Sequence, residues 1–81
     1  MNKQLLTKVN NEVKKYDIIL EFTSKETNKN YVFYTDNTKD VNNNLIIYSG
    51  TYIIEDGFYV IRKIETEEEM EMCNNILKDL K

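Results

Sequence analysis

The fold class is most readable in the segment Ile64-Glu65-Thr66-Glu67-Glu68-Glu69-Met70, where strand-forming residues give way to helix-forming ones. Thr66 and Glu69 have the spacing of a capping box. In that motif the threonine hydroxyl accepts a hydrogen bond from the backbone N–H of Glu69, and the carboxylate reaches back to Thr66. Glutamates in a first turn also favour the positive end of the helix dipole. The segment therefore predicts a helix that begins at Thr66.

This C-terminal helix has one apolar stripe. Met70, Cys73, Leu77 and Leu80 are spaced three, four and three residues apart, and Ile76 lies beside them. A large apolar side chain contributes roughly 1.5–3 kcal/mol when it is fully buried. We therefore expect packing of this stripe to hold the helix on a sheet.

Four strands are predicted upstream of the helix. Their sequences are rich in β-branched and aromatic residues and are separated by short or polar loops, which is typical of an antiparallel meander. The strands lie at residues 18–23, 31–35, 45–54 and 58–64. Glu55-Asp56-Gly57 predicts a tight turn. Gly50 predicts a bulge or a close approach of two backbones.

The N-terminal segment predicts a second helix. Leu6, Val9, Val13 and Tyr16 repeat the three-four-three spacing, and most lysines of this segment lie elsewhere on the helical wheel. We therefore predict an amphipathic helix over residues 2–15. The expected fold is α+β, an antiparallel four-stranded β-meander flanked by an N-terminal and a C-terminal amphipathic helix, in the order α-β-β-β-β-α.

Size and composition indicate one domain over residues 1–81. The chain is 41% hydrophobic and has six tyrosines and three phenylalanines, enough for one core. It has no apolar run of about 18 residues and no short apolar segment behind a basic start, which disfavours a membrane span and a secretory signal. Cys73 is the single cysteine and cannot form an internal disulfide, so we expect a cytoplasmic protein.

The absence of histidine argues against catalysis. No side chain has an unperturbed pKa near neutrality, the usual zinc ligand is missing, and no Ser/His or Cys/His pair can form. The polar residues from Asp36 to Asn44 alternate as in a calcium loop, but Val41 occupies the glycine position and Ile47 the glutamate position. We expect no enzyme activity, no cofactor and no metal.

Three motifs occur in a fixed order along the chain. They are Asn28-Lys29-Asn30-Tyr31-Val32-Phe33-Tyr34-Thr35-Asp36, Asn44-Leu45-Ile46-Ile47-Tyr48-Ser49 and Ile64-Glu65-Thr66-Glu67-Glu68-Glu69. Together they resemble the YrzB-like family, small proteins of low-GC bacteria built on a domain of unknown function, over about residues 28–80. The resemblance implies a small cytosolic bacterial protein with a strand meander and an acidic start to its final helix. It implies no catalytic residues.

Five carboxylates are crowded around the start of the last helix, at Glu65, Glu67, Glu68, Glu69 and Glu71. Acidic residues in a first turn serve the helix dipole, but five exceed what capping requires. The surplus favours a docking surface for a basic partner. We therefore predict a non-catalytic protein–protein interaction module that binds its partner through Glu65, Glu67, Glu68 and Glu71.

An alternative is an inhibitor encoded by a mobile element. Its carboxylates would imitate nucleic-acid phosphates and block a basic groove of a host defence nuclease. The net charge of −3 and the isoelectric point of about 4.9 fit this alternative as well. Direct binding of nucleic acid is not expected, because the glutamates of the last helix would repel phosphates.

Charge is distributed unevenly along the chain. Residues 1–16 carry four lysines against Glu12, whereas residues 65–81 carry six acidic residues against two lysines. This asymmetry would align two helices side by side, or it would support head-to-tail self-association. The sequence therefore leaves open whether the protein forms a homo-oligomer.

Overall fold

A computed structural model describes residues 3–80, except for the side chain of Leu80. Five strands form one antiparallel sheet in sequence order, and one helix follows them. The elements are β1 (Gln4–Val9), β2 (Glu12–Ser24), β3 (Lys29–Thr35), β4 (Tyr48–Glu55), β5 (Phe58–Arg62) and α1 (Glu67–Leu80). The four predicted strands correspond to β2 to β5, so the meander is one strand longer than expected.

The predicted N-terminal helix over residues 2–15 is wrong, and with it the order α-β-β-β-β-α. Asn10 and Asn11 both have positive φ, 50° and 68°, and Val9 pairs with Glu12 across them. Two central residues with positive φ make the type I′ turn that joins hairpin strands, and Asn tolerates this conformation better than most residues. The chain therefore turns back where a helix would have continued, and the two-helix alignment does not exist.

Burial in this hairpin does not follow the predicted helical stripe. Leu5 is fully buried, whereas Val9 and Val13, two members of the predicted stripe, are 46% and 53% exposed. Leu5 pairs with Tyr16 across the hairpin, and alternate residues of each strand share a face. The three-four-three spacing of apolar residues was therefore coincidental.

The sheet is strongly curved, and β1 and β5 at its two ends lie close together. Leu5, Val32 and Tyr59 of three different strands pack together inside the curve. On the outer face, Tyr31 and Phe33 of β3 pack against α1. The molecule thus has one core inside the curved sheet and a second core under the helix.

A bulge in β2 lets one strand serve both cores. The register with β3 shifts between Ile18 and Leu20. Before the bulge Tyr16 and Ile18 face the inner core, whereas after it Leu20 and Phe22 face the helix. A bulge moves the following side chains to the opposite face because it inserts one residue into a period of two. Glu21 is consequently turned towards the inside of the curve.

Gly50 and the last hairpin turn behave as predicted. A Cβ atom on Gly50 would lie 2.7 Å from the carbonyl oxygen of Arg62 and 2.8 Å from Cγ2 of Ile61, so the predicted close backbone approach is confirmed. Asp56 and Gly57 have φ of 53° and 85° and form the predicted tight turn. Within residues 3–80, no helix combines the length and hydrophobicity that crossing a membrane requires.

The apolar stripe of α1 is confirmed in part. Cys73 is buried, and Ile76 and Leu77 pack beside it on the sheet. Met70, however, is 54% exposed, and Met72 packs against the core instead. The side chain of Leu80, also predicted on the stripe, lies outside the described part of the chain.

Candidate docking surface

The start of α1 is fixed by a capping box. The backbone N–H of Glu69 donates to Oγ1 of Thr66 at 3.1 Å, and the same hydroxyl donates to Oε1 of Glu69 at 3.1 Å. The predicted cap is therefore confirmed, with one difference: the carboxylate returns to the threonine hydroxyl. These contacts hold Glu69 in one orientation at the third position of the helix.

Glu69 points into the molecule and is only 3% exposed. The hydroxyl of Tyr31 donates to its Oε2 at 2.5 Å, and Nζ of Lys29 lies 3.5 Å from its Oε1. The hydrogen bond from Tyr31, with smaller contributions from Thr66 and Lys29, lowers the pKa of Glu69 although burial opposes this shift. Glu69 therefore joins β3 to α1, and of the five carboxylates crowded around the helix start it is the one that is not exposed.

The other four glutamates are exposed. Within residues 3–80 none of them forms an ion pair or a side-chain hydrogen bond with another residue. We refer to these four as the acidic surface: Glu65, Glu67, Glu68 and Glu71. The structure thus separates the one carboxylate that the fold uses from the four that it leaves in solvent.

Glu71 cannot be explained by the helix dipole. It lies beyond the first turn, where the dipole no longer favours an anion appreciably. It is also three residues from Glu68 and four from Glu67, and like charges at these spacings destabilise a helix by about 0.2–0.5 kcal/mol. The acidic surface therefore retains a repulsion that neither capping nor packing requires.

A cleft of about 580 Å³ lies beside the acidic surface, between the β2–β3 turn and the first turns of α1. Lys25 and Thr27 line it from the turn, and Glu68 and Met72 line it from the helix. The turn itself is ordered by Asn28, whose φ is 57°, and by a hydrogen bond from its backbone N–H to the carbonyl of Ser24. The cleft gives a partner side chain room to enter beside the exposed carboxylates.

A second, half-buried carboxylate cluster surrounds Glu21 on the inner side of the curved sheet. Tyr59 and Tyr52 donate to its Oε2 at 2.9 and 3.2 Å, and Lys3 pairs with its Oε1 at 2.5 Å. The hydrogen bond from Lys3 is the main reason that the pKa of Glu21 is lowered. Burial, helped by Glu21, raises the pKa of Tyr59 to about 12. Because both carboxylate oxygens have partners, this cluster joins β2, β4 and β5 to Lys3, the residue before β1, and is structural.

Only one sign of the Glu21 cluster was present in the sequence. Glu21 stands between Leu20 and Phe22 in a strand, so alternation places it on the opposite face from them. Its partners Tyr52 and Tyr59 lie more than 30 residues away along the chain. Their meeting depends on the curvature of the sheet, which local sequence does not encode.

Within the described residues, no group of three or more acidic or cysteine side chains is arranged to hold a metal ion. The loop that resembles a calcium site is ordered by its own side chains. Oδ1 of Asp40 accepts hydrogen bonds from the backbone N–H groups of Asn42 and Asn44 at 2.9 and 3.0 Å. Burial raises the pKa of the Cys73 thiol, which suits a core residue.

Comparisons of this chain with protein-family models, with curated proteins and with solved structures find no match. The resemblance to the YrzB-like family therefore stays a prediction. The proposal that follows uses the geometry and the charges of this chain alone.

Proposed function

We propose that this chain is a small non-catalytic interaction module of the bacterial cytoplasm that binds another protein through its acidic surface. The partner carries a complementary basic surface rich in Lys and Arg. The single cysteine, which is buried, fits a reducing compartment. Neither nucleic acid nor membrane is the proposed ligand, because both present phosphates that the four glutamates would repel.

The observation that carries the proposal is the different environment of Glu69 and its neighbours. One glutamate is sufficient to cap α1 and to join it to β3. The remaining four are exposed, have no ionic partner within residues 3–80, and repel one another. A basic partner would relieve that repulsion and would gain an electrostatically accelerated rate of association.

The proposal is tested by affinity capture with charge-reversed variants. Glu67, Glu68 and Glu71 are changed to Lys together, and the captured protein is compared with that of the unchanged chain at low and moderate salt. We expect the triple variant to lose the captured protein. We also expect capture by the unchanged chain to weaken as salt is raised, because screening shortens the range of exposed charges.

A matched control carries the same change of net charge elsewhere. Glu12, Glu55 and Asp79 are exposed acidic residues outside the acidic surface, and their replacement by Lys should preserve capture. Circular dichroism must show that both triple variants are folded. Equal capture by the two variants would refute the acidic surface as the docking site. Competition between the captured protein and DNA would favour the inhibitor alternative over a general interaction module.

A further inference from the structure

A separate pocket adjoins the acidic surface at Glu65. It has a volume of about 340 Å³ and lies between the β2–β3 turn and strands β4 and β5. Its lining combines cationic, amide, hydroxyl and apolar groups with one carboxylate. The residues that define it are Lys29, Asn30, Thr51, Ile53, Arg62 and Glu65. We refer to it as the Arg62 pocket.

Arg62 is the group in this pocket that is free to bind an anion. Lys29 is already within ion-pair distance of the buried Glu69. Arg62 is exposed and forms no ion pair within residues 3–80. A guanidinium group offers two parallel N–H donors that match a carboxylate. The pocket is therefore suited to a carboxylate held on Arg62.

Ile53 supplies an apolar contact in the same pocket. Its side chain is 46% exposed and lies on the same face of the sheet as Thr51, which pairs with Arg62. The ligand must therefore carry an apolar group and an anion close enough to share about 340 Å³. Thr51 adds a hydroxyl that can hydrogen-bond a peptide backbone.

These requirements favour the end of a polypeptide over an internal acidic residue. In an extended peptide, neighbouring side chains point to opposite sides, so an acidic residue and its apolar neighbour would not enter one pocket together. A C-terminal apolar residue carries its side chain and its free carboxylate on a single Cα atom. We infer that the Arg62 pocket binds the C-terminal residue of a partner polypeptide, with the carboxylate on Arg62 and the side chain on Ile53. This inference rests on the proposed function for the class of partner and adds which part of that partner is recognised.

The test uses N-acetyl-leucine as the probe, because it presents one apolar side chain and one free carboxylate. Titration into ¹⁵N-labelled protein should shift the amide resonances of Asn30, Thr51, Ile53 and Arg62 with an affinity in the millimolar range. N-acetyl-leucinamide lacks the carboxylate and N-acetyl-glycine lacks the apolar side chain. Each should bind at least about tenfold more weakly.

Two pairs of variants locate the binding. Arg62→Gln should weaken binding of N-acetyl-leucine about tenfold, whereas Lys63→Gln, which removes the neighbouring cation outside the pocket, should not change it. Ile53→Ser should weaken binding, whereas Ile54→Ser, on the other face of the strand and 58% exposed, should not. Glu65→Gln should strengthen binding, because it removes the one anion of the lining.

Equal binding of N-acetyl-leucinamide, or equal losses in Arg62→Gln and Lys63→Gln, would overturn the inference. So would saturable shifts confined to residues outside the Arg62 pocket. The triple replacement of Glu67, Glu68 and Glu71 by Lys leaves the Arg62 pocket intact and should not weaken the binding of N-acetyl-leucine. A failure of the acidic surface is therefore seen in protein capture, and a failure of the pocket is seen in this titration.

Discussion

The five glutamates around the start of α1 show how strongly environment separates identical residues. Glu69 has three side-chain partners: Tyr31 in β3, Lys29 at the start of β3 and Thr66 at the helix cap. Its neighbours Glu68 and Glu67 are exposed and have none within residues 3–80. The capping motif identified the position of Glu69 but not its burial, because Tyr31 and Lys29 are brought to it only by the folded sheet.

Removal of the cap should weaken the fold by a predictable amount. Thr66→Ala deletes the acceptor for the backbone N–H of Glu69 and the donor to its carboxylate. We expect the free energy of unfolding, measured by denaturant titration, to fall by about 1 kcal/mol. Thr66→Ser keeps the hydroxyl and should restore most of this loss. If Thr66→Ser were as unstable as Thr66→Ala, the hydroxyl would not be the stabilising group.

Because the pKa of Tyr59 is raised, the free energy of unfolding depends on pH in the alkaline range. In the unfolded chain its phenol ionises near the ordinary value of 10.0, whereas in the folded protein it ionises at about 12. Below pH 10 both states are protonated and the contribution is complete. Between these values the unfolded state loses its proton first, so the free energy of unfolding falls as pH rises through this window.

Tyr59→Phe checks this dependence. The variant removes the titrating group and should flatten the decline of stability between pH 10 and about 12. An unchanged slope in Tyr59→Phe would show that Tyr59 is not the group responsible.

At the scale of elements, the first hairpin shows where sequence patterns fall short. The apolar residues Leu6, Val9, Val13 and Tyr16 fit a helical wheel, but Val9 and Val13 are exposed in the structure. The adjacent residues Asn10 and Asn11 are the local sign of a two-residue turn, and this sign outweighs the spacing of the apolar residues. A short amphipathic pattern is weak evidence when a turn-forming pair interrupts it.

The importance of this turn can be measured directly. Replacement of Asn10 and Asn11 by Ala places two ordinary side chains at positive φ, which costs about 1–2 kcal/mol for each residue. We expect a loss of about 2 kcal/mol or more in the free energy of unfolding. Replacement of Asn74 and Asn75 by Ala, at exposed positions in α1, is the control and should be neutral or stabilising. In a helical N-terminal segment the replacement of Asn10 and Asn11 would also be neutral or stabilising, and that result would contradict the turn.

The features that the sequence predicted correctly are those set by one or two neighbouring residues. The turn at Asp56 and Gly57, the cap at Thr66 and the close approach at Gly50 all follow from one or two residues and their backbone conformation. The direction in which α1 packs was predicted less well, because Met70 and Met72 both fit an apolar stripe. Only the position of the helix on β3 decides which of them is buried.

At the scale of the whole molecule, the curvature of the sheet produces the features that the sequence does not reveal. It brings β1 near β5, encloses the core around Val32, and gathers Lys3 and two tyrosines on Glu21. The bulge between Ile18 and Leu20 turns one strand from the inner core to the helix core. These are long-range consequences of strand pairing and cannot be obtained from composition or spacing.

The two ends of the chain carry opposite charge on different kinds of element. The basic N-terminal segment is a hairpin that exposes Lys8, Lys14 and Lys15, and the acidic C-terminal segment is a helix. The four residues of the acidic surface are exposed, and their binding of a partner stays a prediction. Sequence alone could indicate the surplus of carboxylates, but only burial shows which of the five the fold already uses.

The central claim is that Glu69 stabilises the fold and that the other four glutamates do not. The stability of five single variants tests this claim most directly. Glu65, Glu67, Glu68, Glu69 and Glu71 are each changed to Gln, and the free energy of unfolding is measured at neutral pH. We expect Glu69→Gln to lose about 2–3 kcal/mol, because it weakens hydrogen bonds to a buried charged group. Each of the other four should change stability by less than about 1 kcal/mol. A mild effect of Glu69→Gln, or a large loss at any of the other four, would contradict the claim.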